Sequence, residues 1–396
     1  MNDAIAQFSS YQTALHTTGR ALPRLLVDLD RLDHNIDLLA KQLPTELALR
    51  LVVKSLPSLG LLEYLQQRLG VKRLMFFHQP FLTELAHTQD ATLDFLLGKP
   101  MPTATAAYFY RRFPTSGGID PFRQVQWLVD SKERLQQYLE LAKALDCGNS
   151  TPPLRLNLEV DVGLRRGGFA DSASLREGLK LIESAGGALV FSGLMGYDPH
   201  VVKLPSIFGS IAQFHKQATS TYREYQAVIR QAFPNYWRSD LTFNGAGSPT
   251  FSLHCRGNSP LNEVAVGSAL LKPSTFDTPS LVDYQAACFL ATPVLKIFPR
   301  TRLPGLNWLS LPHPSCFIYG GYWKADYCFP EGIKENKLFG PSTNQSLLNL
   351  PRGSTLKVDD YIFLRPQQSE FVLLQFGDLL AIRKGKVIAE WPVLSN

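Results

Sequence analysis

The sequence predicts an α/β fold, a (β/α)8 TIM-type barrel followed by a C-terminal all-β domain. Short apolar runs alternate with longer amphipathic runs up to about residue 272, and the segments beyond Pro273 are strand-like and separated by Gly, Pro, Asn and Asp. The alternating region is about 250 residues long, which is typical of this barrel. A chain of 396 residues is also too long for one compact core. We therefore expect the barrel over residues 21–272 and the β-domain over residues 273–396, joined by residues 1–20.

The apolar runs of the first region are interpreted as parallel strands. They are RLLVDLD (24–30), LRLVVKS (49–55), RLMFFH (73–78), LDFLLG (93–98), QVQWLVDS (124–131), LRLNLEVDVGL (154–164), LVFSGLMGYD (189–198), LTFNGAGS (241–248) and NEVAVGSALL (262–271). The segments between them have helical spacing, as in RLDHNIDLLAKQL. Right-handed crossovers allow either an open doubly wound sheet or a closed barrel. No G-x-G-x-x-G follows the first strand, which disfavours the open dinucleotide-binding sheet.

Composition excludes several function classes. The net charge of +6 is spread along the chain without a Lys/Arg run, so we expect no nucleic-acid partner, and the positive balance suits small anionic ligands. No apolar run reaches the roughly 20 residues that span a bilayer, so we expect no membrane partner. The five cysteines are scattered without a C-x-x-C pair, and the first residues lack a basic segment followed by an apolar one. Both features predict a cytoplasmic protein with free thiols.

Two glycine–serine turns follow the last two barrel strands. FNGAGSPT contains Asn244, Gly245, Gly247 and Ser248, and VAVGSALL contains Gly267 and Ser268. Glycines let backbone N–H groups approach a ligand closely, and the loops after the last strands of a barrel often hold a phosphate. Taken alone, the first turn is equally well an ordinary strand-to-helix connection. The repetition at the next strand favours a phosphate site.

Lys54 ends the apolar run LRLVVK, at the mouth of the predicted barrel. A lysine beside a phosphate site can form a Schiff base with an aldehyde, and pyridoxal 5'-phosphate carries both groups. Two alternatives remain open. Lys54 extends into solvent from a strand end, or it contacts the phosphate or substrate in a phosphosugar-binding barrel.

The motifs and their order resemble the alanine-racemase-like pyridoxal-phosphate enzymes of the fold III class, and within it the branch with D-serine dehydratase and D-threonine aldolase. The resemblance is carried by LRLVVKS, VDVGLRRGGF, GLMGYD, NGAGSPTF and VGSALL. It implies that Lys54 is the cofactor lysine, that Arg166 and Tyr197 lie near the cofactor ring, and that the two turns bind the phosphate. It also implies a homodimer, in which Tyr322 of the β-domain is a candidate for reaching the partner's active site.

One departure from that branch concerns its metal. The resemblance implies a His-x-Cys or His-x-Asp pair after a proline near the C-terminus. Here the stretch is LRPQQSEF, which puts Gln368 and Glu370 at the ligand positions. A neutral amide is a poor ligand for zinc or manganese, so we expect no tight divalent metal site there.

The resemblance implies a lyase acting at Cα or Cβ of a D-amino acid, and the expected substrates are 3-hydroxy-D-amino acids. Lys54 would take the Cα proton, and Arg166 would stabilise charge near the ring. Loss of a β-hydroxyl would give a dehydratase, and cleavage of Cα–Cβ an aldolase. Reprotonation on the opposite face would give a racemase, which needs a second base. The alternatives are that racemase and a cofactor-binding protein without robust catalysis.

Overall fold

A computed structural model describes residues 2–87, 90–113, 118–303, 305–311, 313–337, 339–340 and 342–395. Within these residues, no helix combines the length and the apolar character needed to cross a membrane.

The strands are numbered in chain order. They are β1 (Arg24–Asp28), β2 (Ala48–Val52), β3 (Arg73–Phe76), β4 (Asp94–Leu97), β5 (Val125–Val129), β6 (Leu154–Glu159), β7 (Leu189–Gly196), β8 (Thr242–Gly245), β9 (Glu263–Val266), β10 (Cys288–Phe298), β11 (Thr301–Leu303), β12 (Leu306–Leu311), β13 (Ser315–Tyr319), β14 (Ala325–Phe329), β15 (Lys334–Glu335), β16 (Gln345–Asn349), β17 (Tyr361–Pro366), β18 (Asp378–Arg383) and β19 (Lys386–Pro392).

The helices are numbered in the same way. They are α1 (Asn2–Thr17), α2 (Leu29–Gln42), α3 (Leu59–Leu69), α4 (Gln79–Ala86), α5 (Thr103–Arg112), α6 (Pro121–Gln124), α7 (Lys132–Ala144), α8 (Ser172–Glu183), α9 (His200–Lys203), α10 (Ile211–Ala232), α11 (Phe251–His254), α12 (Ser268–Leu271) and α13 (Ser369–Val372).

The chain forms two compact units. The barrel unit comprises Leu38–Lys54, Leu62–Gly267 and Ser395–Asn396, and the β unit comprises Met1–Asp37, Ser55–Leu61 and Ser268–Leu394.

The barrel unit contains a closed barrel of the eight strands β2 to β9 in sequential order. Neighbouring strands are parallel, and β2 closes the barrel by pairing with β9, where Leu51 lies opposite Val266. The predicted TIM-type barrel is thus confirmed. Its carboxyl-end loops are the ones that carry the glycine–serine turns and Lys54, because all eight strands point the same way.

Helices of the barrel unit begin where the sequence offers capping side chains. The Ser131 hydroxyl accepts a hydrogen bond from the Arg134 N–H at the start of α7, over 3.2 Å. Asp171 and Ser210 begin α8 and α10 with capping boxes. Each cap satisfies backbone N–H groups that have no partner within the helix, which fixes where the helix begins.

A buried polar layer fills the amino-terminal end of the barrel interior. Arg50 on β2 is fully buried and forms ion pairs with Glu263 on β9 and Asp94 on β4, each over 2.5 Å. The Gln126 amide on β5 donates to both Asp94 oxygens at 3.1 Å, and the Asn157 amide on β6 donates to Gln126 at 3.3 Å. Because side chains alternate along a strand, these contacts fix which positions of each strand face the interior.

The β unit contains a second sheet of antiparallel and parallel pairs, so the predicted all-β texture beyond Pro273 is confirmed. Its core includes Phe8 and Tyr11 from α1, packed with Phe289 and Phe363. The strand Arg24–Asp28 also belongs here and not to the barrel. It pairs antiparallel with β10 and parallel with β18. The barrel therefore begins with β2, later than the predicted boundary at residue 21. The sequence does not reveal this, because a fully buried five-residue strand fits either sheet equally well.

Candidate active site

Lys54 lies just beyond the carboxyl end of β2. The strand ends at Val52, and a single 3-10 turn, Val53–Ser55, carries the lysine. Its side chain is half-buried, and Nζ lies 4.5 Å from the centroid of the Phe77 ring, which follows the adjacent strand β3. A methyl group at Gly98, after β4, would overlap the Phe77 ring, so the missing side chain leaves room for it. The amine therefore sits against an aromatic face at the barrel mouth.

The two glycine–serine turns meet. The Gly267 N–H donates a hydrogen bond to the Ser248 hydroxyl at 3.4 Å, and both residues are buried. The backbone is tightly packed at Gly245, where a methyl group would lie 2.8 Å from the Gly196 carbonyl oxygen. Since β9 pairs with β2, the turn at Gly267 and the turn at Lys54 follow neighbouring strands.

Ser55 and Ser268, the chain neighbours of Lys54 and Gly267, lie in the β unit. The Ser268 hydroxyl donates to the Ser55 hydroxyl at 3.0 Å. The Ser55 hydroxyl donates in turn to the Glu370 carboxylate at 3.5 Å. The sequence analysis predicts Ser268 as a phosphate contact, and its hydroxyl is committed to Ser55 in this structure.

Tyr197 neighbours both the first glycine turn and Arg166. It follows β7 directly, and the Arg166 guanidinium lies 5.1 Å from its ring centroid. A methyl group at Gly247 would lie 2.8 Å from Tyr197 Cε2. Gly247 thus lets the turn approach the aromatic ring, and the positive charge of Arg166 lies over that ring.

The loop that carries Arg166 is shaped by Asp161. The buried Asp161 carboxylate accepts hydrogen bonds from the Gly163 and Arg165 N–H groups at 2.8 and 3.0 Å. Arg165 adopts a positive φ of 58° inside this turn. The carboxylate therefore orients the loop, and Arg166 is left exposed at the barrel mouth.

Asn244 faces the barrel interior. Its amide donates to Glu263 at 2.7 Å, which joins it to the buried polar layer around Arg50. Its carbonyl oxygen accepts a hydrogen bond from the Tyr222 hydroxyl at 3.0 Å. Asn244 thus anchors the first glycine turn to the barrel wall.

Asp198 is a buried residue that the sequence analysis does not single out. Its carboxylate accepts a hydrogen bond from the Thr250 hydroxyl at 2.7 Å, and its other oxygen lies 2.9 Å from His254 Nε2. The Thr250 hydroxyl also accepts one from the Gly247 N–H at 3.1 Å. Burial acts to raise the pKa of Asp198, but the hydrogen bonds from His254 and Thr250 outweigh it and lower this pKa. The contacts join the glycine turn to the residue after Tyr197.

Glu159, the last residue of β6, is a second residue that the sequence analysis misses. It lies on the same strand face as Arg155 and Asn157, whose side chains point into the barrel. The pairing of Val129 with Leu158 brings Asp130 beside Glu159 as the register continues. Burial and the neighbouring Asp130 carboxylate raise the pKa of Glu159 to about 6, against the attraction of Arg166. The alternation of polar residues along LRLNLE is the sequence signal that points to it.

The remaining candidates lie in the β unit. Gln368 precedes α13, and Glu370 lies within it. Tyr322 is 62% exposed and has a positive φ of 55°.

Comparison with known proteins identifies the family of the chain. Residues 27–274 match the family model described as "Alanine racemase, N-terminal domain", whereas no curated protein sequence matches the chain. Similar solved structures include D-threonine aldolase from Filomicrobium marinum, with a TM-score of 0.72, 17% identity, and coverage of 94% of this chain and 97% of that one.

Two further solved structures match over the same share of this chain, 94%. One is D-threo-3-hydroxyaspartate dehydratase from Delftia sp. HT23, with a TM-score of 0.69, 15% identity and 97% coverage of that chain. The other is alanine racemase from Clostridium difficile 630, with a TM-score of 0.69, 14% identity and 98% coverage of that chain. These likenesses show a shared fold, and the family match confirms the resemblance that the motif order predicts. The chain belongs to the alanine racemase N-terminal domain family.

Proposed function

We propose that the protein is a pyridoxal-phosphate-dependent enzyme that acts on a 3-hydroxy-D-amino acid, as a dehydratase or an aldolase. The observation that carries the proposal is the hydrogen bond between Gly267 N–H and Ser248 Oγ. It joins two glycine–serine turns beside the strand whose end carries Lys54. A phosphate anchor and an amine then lie at neighbouring strand ends, as a phosphorylated aldehyde requires.

The residues present fit this cofactor. Neither Gly245 nor Gly247 has room for a methyl group, so this turn presents bare backbone where a phosphate would bind. Tyr197 presents an aromatic ring next to the turn, and Arg166 brings positive charge to that ring. Asp198 and Thr250 hold the turn from behind. When bound, pyridoxal phosphate supplies an aldehyde that links to amines and a ring that withdraws electrons from Cα.

The chain's own residues would divide the work as follows. The Lys54 amine would hold the cofactor. Once displaced by substrate, its Nζ would accept the Cα proton in a dehydration or the β-hydroxyl proton in an aldol cleavage. Arg166 would stabilise negative charge beside the ring. Glu159, whose pKa is raised to about 6, would take up or release a proton at the barrel mouth near that pH.

The choice of substrate class is supported by two of the similar structures. They are named D-threonine aldolase and D-threo-3-hydroxyaspartate dehydratase, and the substrate in each name is a 3-hydroxy-D-amino acid. A racemase is the second candidate, because the alanine racemase structure matches this chain as well as the dehydratase does.

A product screen tests the proposal. The purified chain is loaded with pyridoxal phosphate and incubated with D-threonine, D-serine, D-threo-3-hydroxyaspartate and D-alanine, with and without added divalent metal. We expect a keto acid and ammonia from a dehydratase, or glycine and an aldehyde from an aldolase. The opposite enantiomer as the sole product would favour the racemase, and no product from a loaded protein would contradict the proposal.

Two lysine variants make the screen specific. Lys54→Ala should abolish product formation, whereas Lys99→Ala should not, since Lys99 is an exposed lysine that follows another barrel strand, β4. Equal loss in both variants would refute the role of Lys54.

A further inference from the structure

Three side chains with metal-binding atoms meet in the barrel unit, behind the first glycine turn. They are Asp198 after β7, His215 in α10 and His254 at the end of α11, and we call them the Asp198 cluster. One donor atom from each lies within 4.8 Å of the other two. Among the residues that the structure describes, this is the one such group of His, Cys, Asp or Glu side chains.

Two members of the Asp198 cluster are held from outside by hydroxyl groups. His254 Nε2 lies 2.9 Å from one Asp198 oxygen, and His254 Nδ1 lies 2.9 Å from the Ser259 hydroxyl. The other Asp198 oxygen accepts the Thr250 hydrogen bond. Outer partners of this kind fix the orientation of metal ligands in proteins.

The third member, His215, has a polar atom that the protein leaves unsatisfied. Its Nδ1 is inaccessible to solvent and, within the described part of the chain, has no hydrogen-bond partner. Its ring stands nearly perpendicular to that of His254, at 82°, with the ring centroids 4.7 Å apart. A buried polar atom without a partner calls for a ligand or another explanation. Burial, together with neighbouring His254, lowers the pKa of His215.

We propose that Asp198, His215 and His254 bind a divalent transition-metal ion of the zinc class. One carboxylate and two imidazoles are a donor set that suits Zn²⁺ or Co²⁺ and leaves a coordination position for water. Binding would displace any proton on His254 Nε2 into solvent. The imidazole would keep one proton on Nδ1, which would then donate to the Ser259 hydroxyl.

The surroundings set the expected strength and consequence of binding. The positive charges of Arg223 and Arg256 contribute to lowering the pKa of His215. The same charges would repel a bound cation. We therefore expect weaker binding than in a four-ligand structural zinc site. The ion would tie α10 and α11 to Asp198, which holds Thr250 and through it the Gly247 turn. Its effect is to stabilise the barrel unit, independently of the proposed reaction.

Cobalt binding tests the site directly. The full chain is treated with a chelator, and Co²⁺ is titrated while the visible absorption of the ion is recorded, with Zn²⁺ as competitor. We expect one Co²⁺ per chain, displaced by Zn²⁺, and a higher melting temperature with either ion. A wild-type chain without a saturable cobalt spectrum would overturn the proposal.

Variants assign the ligands. His215→Ala keeps the contact between Asp198 and His254, so it should fold while binding Co²⁺ at least about tenfold more weakly. His313→Ala, an exposed histidine of the β unit, should bind as the wild type does. Unchanged binding in His215→Ala would refute the site. Lys54→Ala should bind Co²⁺ normally, so this result does not depend on the cofactor proposal.

Discussion

The Thr250 hydroxyl donates a hydrogen bond to the Asp198 carboxylate over 2.7 Å and accepts one from the Gly247 N–H over 3.1 Å. One buried hydroxyl thus joins the candidate phosphate turn to the loop after Tyr197. Without it, a buried N–H group and a buried carboxylate would each lose a partner.

Thr250→Val removes that hydroxyl and keeps the shape of the side chain. We expect the free energy of unfolding to fall by about 2 kcal/mol, because two buried polar groups each lose a hydrogen-bond partner. Affinity for pyridoxal phosphate should fall as well. Urea unfolding and cofactor titration measure the two effects. Thr250→Ser keeps the hydroxyl and serves as the control, so equal losses in both variants would contradict the role of the hydrogen bonds.

Gly247→Ala tests the close approach of the turn to Tyr197. The added methyl group would lie 2.8 Å from Tyr197 Cε2, so the ring must move. We expect the displaced ring to weaken cofactor binding about tenfold, which corresponds to a loss of about 1.4 kcal/mol in binding free energy. A fluorescence or absorption titration measures the affinity. Gly377→Ala, where a methyl group meets nothing within 4 Å, should bind the cofactor normally. Wild-type affinity in Gly247→Ala would show that the contact is unimportant.

The raised pKa of Glu159 should make the free energy of unfolding depend on pH. Its folded-state pKa of about 6 lies above the ordinary value of 4.5, so the folded protein holds this proton more tightly than the unfolded chain. The resulting stabilisation is complete below pH 4.5 and is lost as the pH rises through about 6. The half-buried position limits it to about 2 kcal/mol at most.

Glu159→Gln should remove that dependence. Relative to the wild type, the variant should become progressively more stable between pH 4.5 and pH 7, as urea unfolding at several pH values would show. Glu133→Gln, at an exposed position in the first turn of α7, is the control. Parallel stability curves for Glu159→Gln and the wild type would refute the raised pKa.

The buried ion pairs of Arg50 are expected to contribute to the stability of the barrel. In Arg50→Met, the buried Glu263 carboxylate keeps only the partly exposed Arg73 as an ion-pair partner in the described structure. Asp94 loses its fully buried partner. We expect the free energy of unfolding to fall by about 3–5 kcal/mol. Adding Glu263→Gln should recover part of the loss. Arg123→Met, in an exposed ion pair, should have little effect. A similar small effect for Arg50→Met would contradict the account.

Much of the barrel could be predicted from the sequence, because each strand is a short apolar run that ends at a glycine or a polar residue. The order of these ends also predicts that Lys54, Ser248 and Gly267 follow neighbouring strands. The strand Arg24–Asp28 could not be assigned in this way. All five of its residues are buried, and its partners at residues 288–291 and 379–382 lie far away in sequence.

The residues that the sequence analysis missed depend on contacts between distant segments. His254 and Asp198 are 56 positions apart, and no local pattern connects them. The sequence predicts Asn244 as a ligand contact, whereas its amide donates a hydrogen bond to Glu263 inside the barrel. Glu159 did have a signal, since it continues the interior-facing positions of Arg155 and Asn157. The alternation along a strand thus predicts which side chains face the interior, but only the closed barrel shows which residues of other strands they contact.

The central claim is that the Lys54 amine carries pyridoxal phosphate. Borohydride reduction of the loaded protein makes such a bond permanent, and peptide mass spectrometry then locates it. We expect a single modified lysine, Lys54, and no modification there in a sample without cofactor. A cofactor mass on another lysine, such as Lys99, or on none, would contradict the account.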